Sequence, residues 1–529
     1  MTGMAIRFRP FLLGALLLVV MRVAAADAQP FRVCAFGFNR PDELAALRAN
    51  FPPADFDLLD FSSDVLAAQK ARAAQVMPGA EGSLPDASRP WLLNLCRPDL
   101  RCDVTVYSGE FAGGFFGRYG SSIGVQELEE VACQPGCRGL FHQAEEVFLL
   151  ACNTLATKDH DNRTPQEYLQ VLLDHDFERA AAERVVEWRY GPLGPSFFES
   201  FRRIFAGVPR IYGFASVAPN GERTAALLRK YFESKRDYAG YLKSAAGDTR
   251  PNKELLAAFR GTSLQQTSGM TLAEPAAFDR ALVCGVYDET RTVAQRLRIL
   301  QELFARRDFL SFLPTIQVFL NRHPPQQLQD NERRIFAQIQ RQAAARQQVI
   351  ALVHDLNVSA LQMELAHLAL QLGWMTADGF RRLAVTGVRQ LLAQPLTSEV
   401  VDILCAITQQ QSLAGEFASE DVPERLFHEP EGLRLITCLS PVDVRVSTRL
   451  LAGLDSENVW ARRWAAYALS TRLPLNDATL KALAGHLNDP VPDMRERVQW
   501  IFKAQRPLTD SVRATVQAYD PQLAKELPR

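Results

Sequence analysis

The chain has 529 residues, of which 47% are hydrophobic and 22% charged, a globular balance that excludes a disordered, collagenous or coiled-coil rod. That length suits two or three domains, each able to bury a core. Lys and Arg number 59 and Asp and Glu 60, a net charge of -1, so no basic footprint calls for a nucleic-acid partner and no acidic tail forms a solvated arm.

The first residues read as an export signal. Arg7 and Arg9 form a positive segment, Pro10 precedes the apolar run from Phe11 to Val20, and Ala26-Asp27-Ala28 supplies the small residues that signal peptidase requires. The run is shorter than the ~20 residues needed to cross a bilayer. Removal of residues 1–28 is expected, leaving Gln29 as the new N-terminus of a bacterial periplasmic or secreted protein. No later segment reaches transmembrane length without charges, so no integral membrane span is expected after cleavage.

The next part, residues 29–245, alternates short apolar runs with helical stretches. Phe31 to Phe38 and Phe56 to Phe61 read as strands, and Pro41 to Asn50 as a helix with proline in its first turn. A second helix is expected over Asp64 to Val76, and a loop rich in Gly, Pro and Ser over Pro78 to Pro90. Cys102 to Tyr107, Glu146 to Ala151 and Val208 to Val217 are apolar runs bounded by turn signals, the pattern of central parallel strands. The alternation predicts a doubly wound α/β layer. Residues 246–280, where Gly, Pro and Asn cluster at the start, read as a linker.

From residue 281 to 529 the periodicity is helical. Val293 to Phe312, Glu332 to Leu356, Ala360 to Leu372 and Asp378 to Leu392 read as successive helices. Arg333 to Gln348, rich in Arg and Gln, reads as a solvated helix face. Near the C-terminus an internal repeat matches Leu450 with Leu483, Leu454 with Leu487 and Arg462 with Arg495. A helix, an Asp/Asn turn and a second helix resemble a HEAT-like unit, which implies an all-α solenoid with an extended surface for a protein or peptide partner. Trp460, Trp464 and Trp500 read as repeat core rather than as a ligand cage.

Nine cysteines stand at 34, 96, 102, 133, 137, 152, 284, 405 and 438, so an odd one remains after pairing. Cys96 with Cys102 and Cys133 with Cys137 are separated by turn-like spacers, and each pair is expected to close a small disulfide in an oxidising compartment. Neither spacing is that of a zinc site, and the histidines at 323, 354, 367, 428 and 486 show no metal-ligand spacing. No Walker loop, dinucleotide fingerprint or Gly-x-Ser-x-Gly follows a strand, so no metal or cofactor is expected.

The sharpest local signal runs from Ala144 to Leu155, a buried strand that ends at Cys152, where ligands gather in a parallel sheet. Upstream, Val104 to Gly117 is a strand that leads into a Gly-rich loop, where glycines allow close backbone approach to a ligand and φ > 0 turns. Cysteine is also among the most buried residue types, which gives Cys152 an ordinary reading as a core thiol.

Together these strands resemble the caspase-like cysteine peptidases of clan CD, most closely the CHAT-type branch. In that family one strand ends in a histidine beside glycine and the next in Ala-Cys, the thiol being the nucleophile. Leu150-Ala-Cys-Asn-Thr154 matches the second motif, and Phe205 to Asn220 followed by Thr224 to Phe232 resembles the family's next strand, turn and helix. The resemblance covers residues 31–240 and implies a caspase-like α/β three-layer sandwich with a mostly parallel sheet. At the family's histidine position this chain has Ser108-Gly109-Glu110, with Glu110 in the histidine's place.

A cysteine peptidase needs an imidazole to take the thiol proton and return it to the leaving amine. A carboxylate is already ionised at neutral pH and repels a thiolate, so Glu110 is a poor substitute. His142 precedes the Cys152 strand and is expected at its opposite end. His160, in the loop Lys158 to Arg163, and His175 follow Cys152. Two readings result. The first is an exported protein-binding scaffold on a caspase-like domain that has lost its histidine. The second is an active periplasmic cysteine endopeptidase in which Cys152 attacks, N–H groups near Gly109 hold the oxyanion and His160 moves in as acid and base.

Overall fold

A computed structural model describes residues 29–38, 41–65, 90–117, 122–158, 163–174, 179–274, 276–356, 359–393, 422–439 and 444–527, with isolated positions between 396 and 417. The expected signal segment, His160, His175 and most of the helix and loop expected over 64–90 lie outside these residues.

The described residues form two compact units: 29–65, 90–156 and 197–277 make the first, and 157–196 with 278–527 the second. The second unit takes in residues 157–196 from within the expected α/β segment, and the expected linker carries an element of the first unit's sheet.

In the first unit, β1 (Phe31–Gly37), α1 (Pro41–Asn50), β2 (Phe56–Asp60) and β3 (Val104–Ser108) come in chain order. Pro41 opens α1, with Asp42 and Glu43 in its first turn and Arg48 in its last, in keeping with the helix dipole. Three short strands follow, β4 (Glu110–Phe111), β5 (Gly114–Phe116) and β6 (Ser122–Gly124), then α2 (Val125–Ala132), α3 (Arg138–Phe141) and β7 (Glu146–Leu150). After α4 (Phe197–Ile204) come β8 (Arg210–Phe214), α5 (Gly221–Ser234), α6 (Tyr238–Ser244), α7 (Lys253–Ala258) and β9 (Leu264–Thr267). Asn220, Asp237 and Asn252 cap α5, α6 and α7 by accepting backbone N–H bonds.

The main sheet has the order β2-β1-β3-β7-β8-β9, parallel throughout except for β9, which runs antiparallel to β8 at the edge. Side chains alternate between its faces. Cys34, Phe36, Tyr107, Val147, Leu149 and Ile211 pack into one core with residues of α2, α3 and α4. Val33, Ala35, Val104, Val106, Phe148, Leu150, Tyr212 and Phe214 pack into another with α1, α5, α6 and α7. Helices thus cover both faces of a mostly parallel sheet.

The disulfides differ from the expected local pairs. Cys34 is bonded to Cys102 and Cys96 to Cys137, with Cα atoms 5.7 and 4.5 Å apart. The first links β1 to the segment just ahead of β3, its neighbour in the sheet, across 68 residues. Cys405 is bonded to Cys438, and Cys133 and Cys284 are disulfide-bonded as well.

The second unit is helical. Its main elements are α8 (Ala276–Tyr287), α9 (Val293–Phe304), α10 (Leu313–Arg322), α11 (Asp330–Gln340), α12 (Ala343–Asp355), α13 (Ser359–Gln371) and α14 (Ala377–Leu392). Then come α15 (Pro430–Leu439), α16 (Val444–Leu454), α17 (Val459–Ser470), α18 (Asp477–Ala484), α19 (Pro492–Ala504), α20 (Asp510–Tyr519) and α21 (Pro521–Glu526). The helix expected over Glu332 to Leu356 is two helices, broken at Arg341 and Gln342.

The 33-residue repeat extends further than its two legible units. Helices α16, α18 and α20 begin 33 residues apart, as do α17 and α19. Helices α15, α17 and α19 contact one another in succession, as do α16, α18 and α20. Leu450, Leu454, Leu483, Leu487 and Val516 are buried between them. Arg462 and Arg495 do the same work one repeat apart, each donating through Nη1 to a carbonyl six residues back, Ser456 at 2.9 Å and Asp489 at 2.6 Å. The tryptophans correct the core reading. Trp464 is buried, but Trp460 and Trp500 are 43% and 47% exposed.

Candidate functional site

Strands β3 and β7 are neighbours in the sheet, and Ser108 faces Leu150 at their carboxyl ends. Gly109 and Glu110 therefore leave one strand beside the point where Ala151 and Cys152 leave the next. This is the end of an α/β sheet where sites form, and β1 and β3 flank its switch point.

Eight cysteines are disulfide-bonded, and Cys152 keeps its thiol. It is half-buried against the core formed with α5, and its Sγ accepts a hydrogen bond from the Ala218 backbone N–H at 3.3 Å. Asn153 follows in the left-handed region, with φ 58°, a conformation that asparagine takes more readily than most side chains. Its N–H donates to Ser216 O, and the Leu155 N–H donates to Phe214 O. The Thr154 hydroxyl lies 3.2 Å from both Leu149 O and Ala151 O as donor, and accepts the Phe214 N–H at 3.1 Å. The turn carrying Cys152 is thus fixed to the end of β8 by backbone groups that sequence reading does not reveal.

On the β3 side, Gly109 is needed for close packing. A Cβ there would lie 2.9 Å from both Phe116 O and the Phe38 Cβ. Glu110 opens β4 and pairs across the small sheet with Phe116. The glycines expected to admit a ligand build this sheet instead. Gly113 turns with φ +80°, and a Cβ on Gly114 would lie 2.8 Å from Ile123 O and 2.9 Å from the Gly124 Cα.

A second carboxylate, Glu43, stands behind β3. It is fully buried on α1 and accepts a hydrogen bond from the Ser108 hydroxyl. The only sequence signal for it was the acidic first turn of α1, which reads as ordinary dipole compensation.

His142 follows α3, ahead of the first residue of β7. A five-residue strand is ~16 Å long, so His142 and Cys152 belong to opposite ends of β7. Its ring nitrogens lie 2.8 Å from Ala132 O and 3.1 Å from Ala206 O. Lys158, at the start of the His160 loop, donates from Nζ to Gly191 O and Leu193 O. The described residues hold no group of three or more His, Cys, Asp and Glu side chains able to bind a metal ion, and no helix long and apolar enough to cross a membrane.

At the amino ends of the strands lies a buried network that the sequence did not announce. Glu146, fully buried, accepts bonds from Arg210 Nε at 2.8 Å, Tyr212 at 2.6 Å, Tyr241 at 3.3 Å and Tyr238. Arg210 Nη1 also donates to Ala245 O and Asp248 O, both at 2.6 Å. Burial first, then the Glu146 charge, pushes Tyr241 up to about 12 and Tyr212 and Tyr238 further. These tyrosines stay protonated and donate, which makes the network a structural clamp.

Compared with protein-family models, curated proteins and solved structures, the chain matches none.

Proposed function

We propose that the chain is an exported protein-binding scaffold in which a caspase-like α/β domain without the family's histidine is joined to a HEAT-like helical half. The observation that carries this reading is the pair of adjacent strand ends. Cys152 stands on one, and the other continues as Gly109-Glu110 with the buried carboxylate of Glu43 behind it. A carboxylate beside a thiol suppresses the thiolate and cannot supply the proton that the leaving amine needs. The strand order, with helices on both faces, supports the caspase-like sandwich. The 33-residue helix spacing supports a repeat that offers its surface to a protein or peptide. Eight disulfide-bonded cysteines and the signal-like residues 1–28 support export to the periplasm or beyond.

The endopeptidase reading keeps one favourable observation, the turn at Cys152. An N–H directed at the sulfur and a left-handed residue next in the chain are features of an activated nucleophile. That reading uses His160 as acid and base and N–H groups near Gly109 for the oxyanion.

Digestion of a proteome-derived peptide mixture, read by mass spectrometry, tests the proposal. The scaffold reading predicts the same peptides from wild type and Cys152→Ala. Cleavage that disappears in Cys152→Ala contradicts it.

A further inference from the structure

The two exposed tryptophans belong to an ordered strip on the helical unit. Thirty-three residues apart, Arg434 on α15, Tyr467 on α17 and Trp500 on α19 occupy equivalent positions, and Trp464 and Arg497 are a second equivalent pair. Their side chains interleave. The Arg497 guanidinium carbon lies 5.6 Å from the Tyr467 ring centre and 5.9 Å from that of Trp500. Arg434 lies 5.7 Å from Trp464, which meets Tyr467 edge-on at 5.8 Å, and Arg463 lies 4.7 Å from Trp460. Cations and rings thus alternate across three successive helices.

Such a strip is poorly explained by the unit's own stability. A Trp side chain left nearly half in water forgoes much of its burial energy. Stacking holds the guanidinium planes and rings in place, so a partner would immobilise little that is mobile. Trp, Tyr and Arg are also the residue types that dominate interface energetics. Of the cations on α15, α17 and α19, Arg462 is paired with Asp489 and Lys503 with Glu526, while Arg434, Arg463 and Arg497 are the ones stacked on the rings of the strip. Burial shifts the Arg434 guanidinium downward, so this cation sits at a partly desolvated surface.

We propose that this strip is the docking surface for an acidic segment of a partner protein, whose carboxylates meet Arg434, Arg463 and Arg497 while its apolar side chains cover Trp460 and Trp500. The proposal rests on the reading of the helical half as partner-binding and deepens it by naming the partner's chemistry. A carboxylate suits the planar guanidinium fork, and an apolar neighbour in the same segment suits the exposed ring faces.

The test is selection of a random-sequence peptide library displayed on phage against the immobilised full chain, followed by titration of the selected peptides by fluorescence anisotropy. The expected result is enrichment of Asp and Glu together with apolar residues. The double variant Trp460→Ser/Trp500→Ser and, separately, Arg497→Gln should each weaken binding by at least about tenfold with an unchanged melting temperature. Arg322→Gln, on a different part of the helical unit, should bind as wild type does. No enrichment, enrichment of basic or neutral peptides, or equal binding by the strip variants overturns the proposal. Acidic peptides that bind the strip variants normally would overturn the strip and leave the partner-binding reading standing. Failure of the scaffold reading is seen separately, as Cys152-dependent peptide cleavage by the same preparation.

Discussion

The Cys152 sulfur accepts a hydrogen bond from the Ala218 N–H at 3.3 Å, and Ala218 belongs to the segment joining β8 to α5. The thiol is thus oriented by a neighbouring strand connection, with Asn153 in the left-handed region holding the turn. The adjacent strand end continues as Gly109-Glu110, and in the reading proposed above Glu110 stands where the peptidase chemistry needs an imidazole.

If Glu110 occupies the lost histidine's place, restoring the base should awaken the thiol. Glu110→His is expected to raise the rate at which a peptidyl acyloxymethyl ketone labels Cys152 by at least about tenfold, a modest share of what a positioned base contributes. The rate is read by intact-mass spectrometry at neutral pH. An unchanged rate, with the fold intact by circular dichroism, shows that position 110 does not address the sulfur.

The Glu146–Arg210 pair should be a principal stability determinant. Both side chains are almost fully excluded from water, so removing one leaves a buried, uncompensated charge. Glu146→Ala is expected to lower unfolding free energy by about 3–5 kcal/mol in a urea titration. Asp248→Asn, which breaks the exposed pair with Arg250, should leave the midpoint unchanged.

Non-reducing peptide mapping should recover Cys34 linked to Cys102 and Cys96 linked to Cys137. Peptides joining Cys96 to Cys102 would contradict the fold of the first unit. Removing the longer-range bond with Cys34→Ala/Cys102→Ala is expected to destabilise by about 2–4 kcal/mol, because the link spans 68 residues.

Much of the sheet is legible in the sequence because its central strands are continuous apolar runs. β1, β3, β7 and β8 are buried on both faces and stand out without any periodicity argument. β9 is not legible: Leu264-Gln-Gln-Thr267 pairs on one side only, its side chains are half-buried, and Gln265 and Gln266 serve as hydrogen-bond partners for loops. The Gly, Pro and Asn cluster ahead of it makes residues 246–280 read as a linker. At the candidate site, Cys152 and Glu110 follow from motif order, but the Ala218 N–H and Glu43 do not. A backbone donor leaves no trace in residue identity, and the Glu43–Ser108 contact joins residues 65 positions apart. The exposure of Trp460 and Trp500 is hidden for a related reason. Helical spacing places Trp460 and Trp464 one turn apart but does not say which of them faces the next helix, and it is Trp464 that is buried.

His323 supplies a pH dependence. It stands at the end of α10, where burial first and then the charges of Arg296 and Arg322 hold its pKa below the ordinary value; Glu332 and Glu289 oppose them. Arg296 Nη1 donates to its Nε2 at 3.2 Å, a bond that only the neutral ring can accept. Below pH ~6.5 the unfolded chain takes up this proton before the folded one, so stability is full above that pH and falls as pH drops toward the folded pKa. The melting temperature of wild type should therefore decline more steeply between pH 6.5 and 5 than that of His323→Gln. Parallel curves would contradict the assignment.

The central claim, a caspase-like site without its acid and base, is tested most directly by covalent labelling of Cys152. Wild-type protein beginning at Gln29 is treated with peptidyl acyloxymethyl ketones bearing Arg, Asp or Asn, and adducts are mapped by mass spectrometry. The scaffold reading predicts labelling of Cys152 no faster than in the same chain unfolded in urea with its disulfides intact. Saturable labelling at least about tenfold faster than that reference, abolished by His160→Ala with the fold preserved, would contradict it and establish a working peptidase.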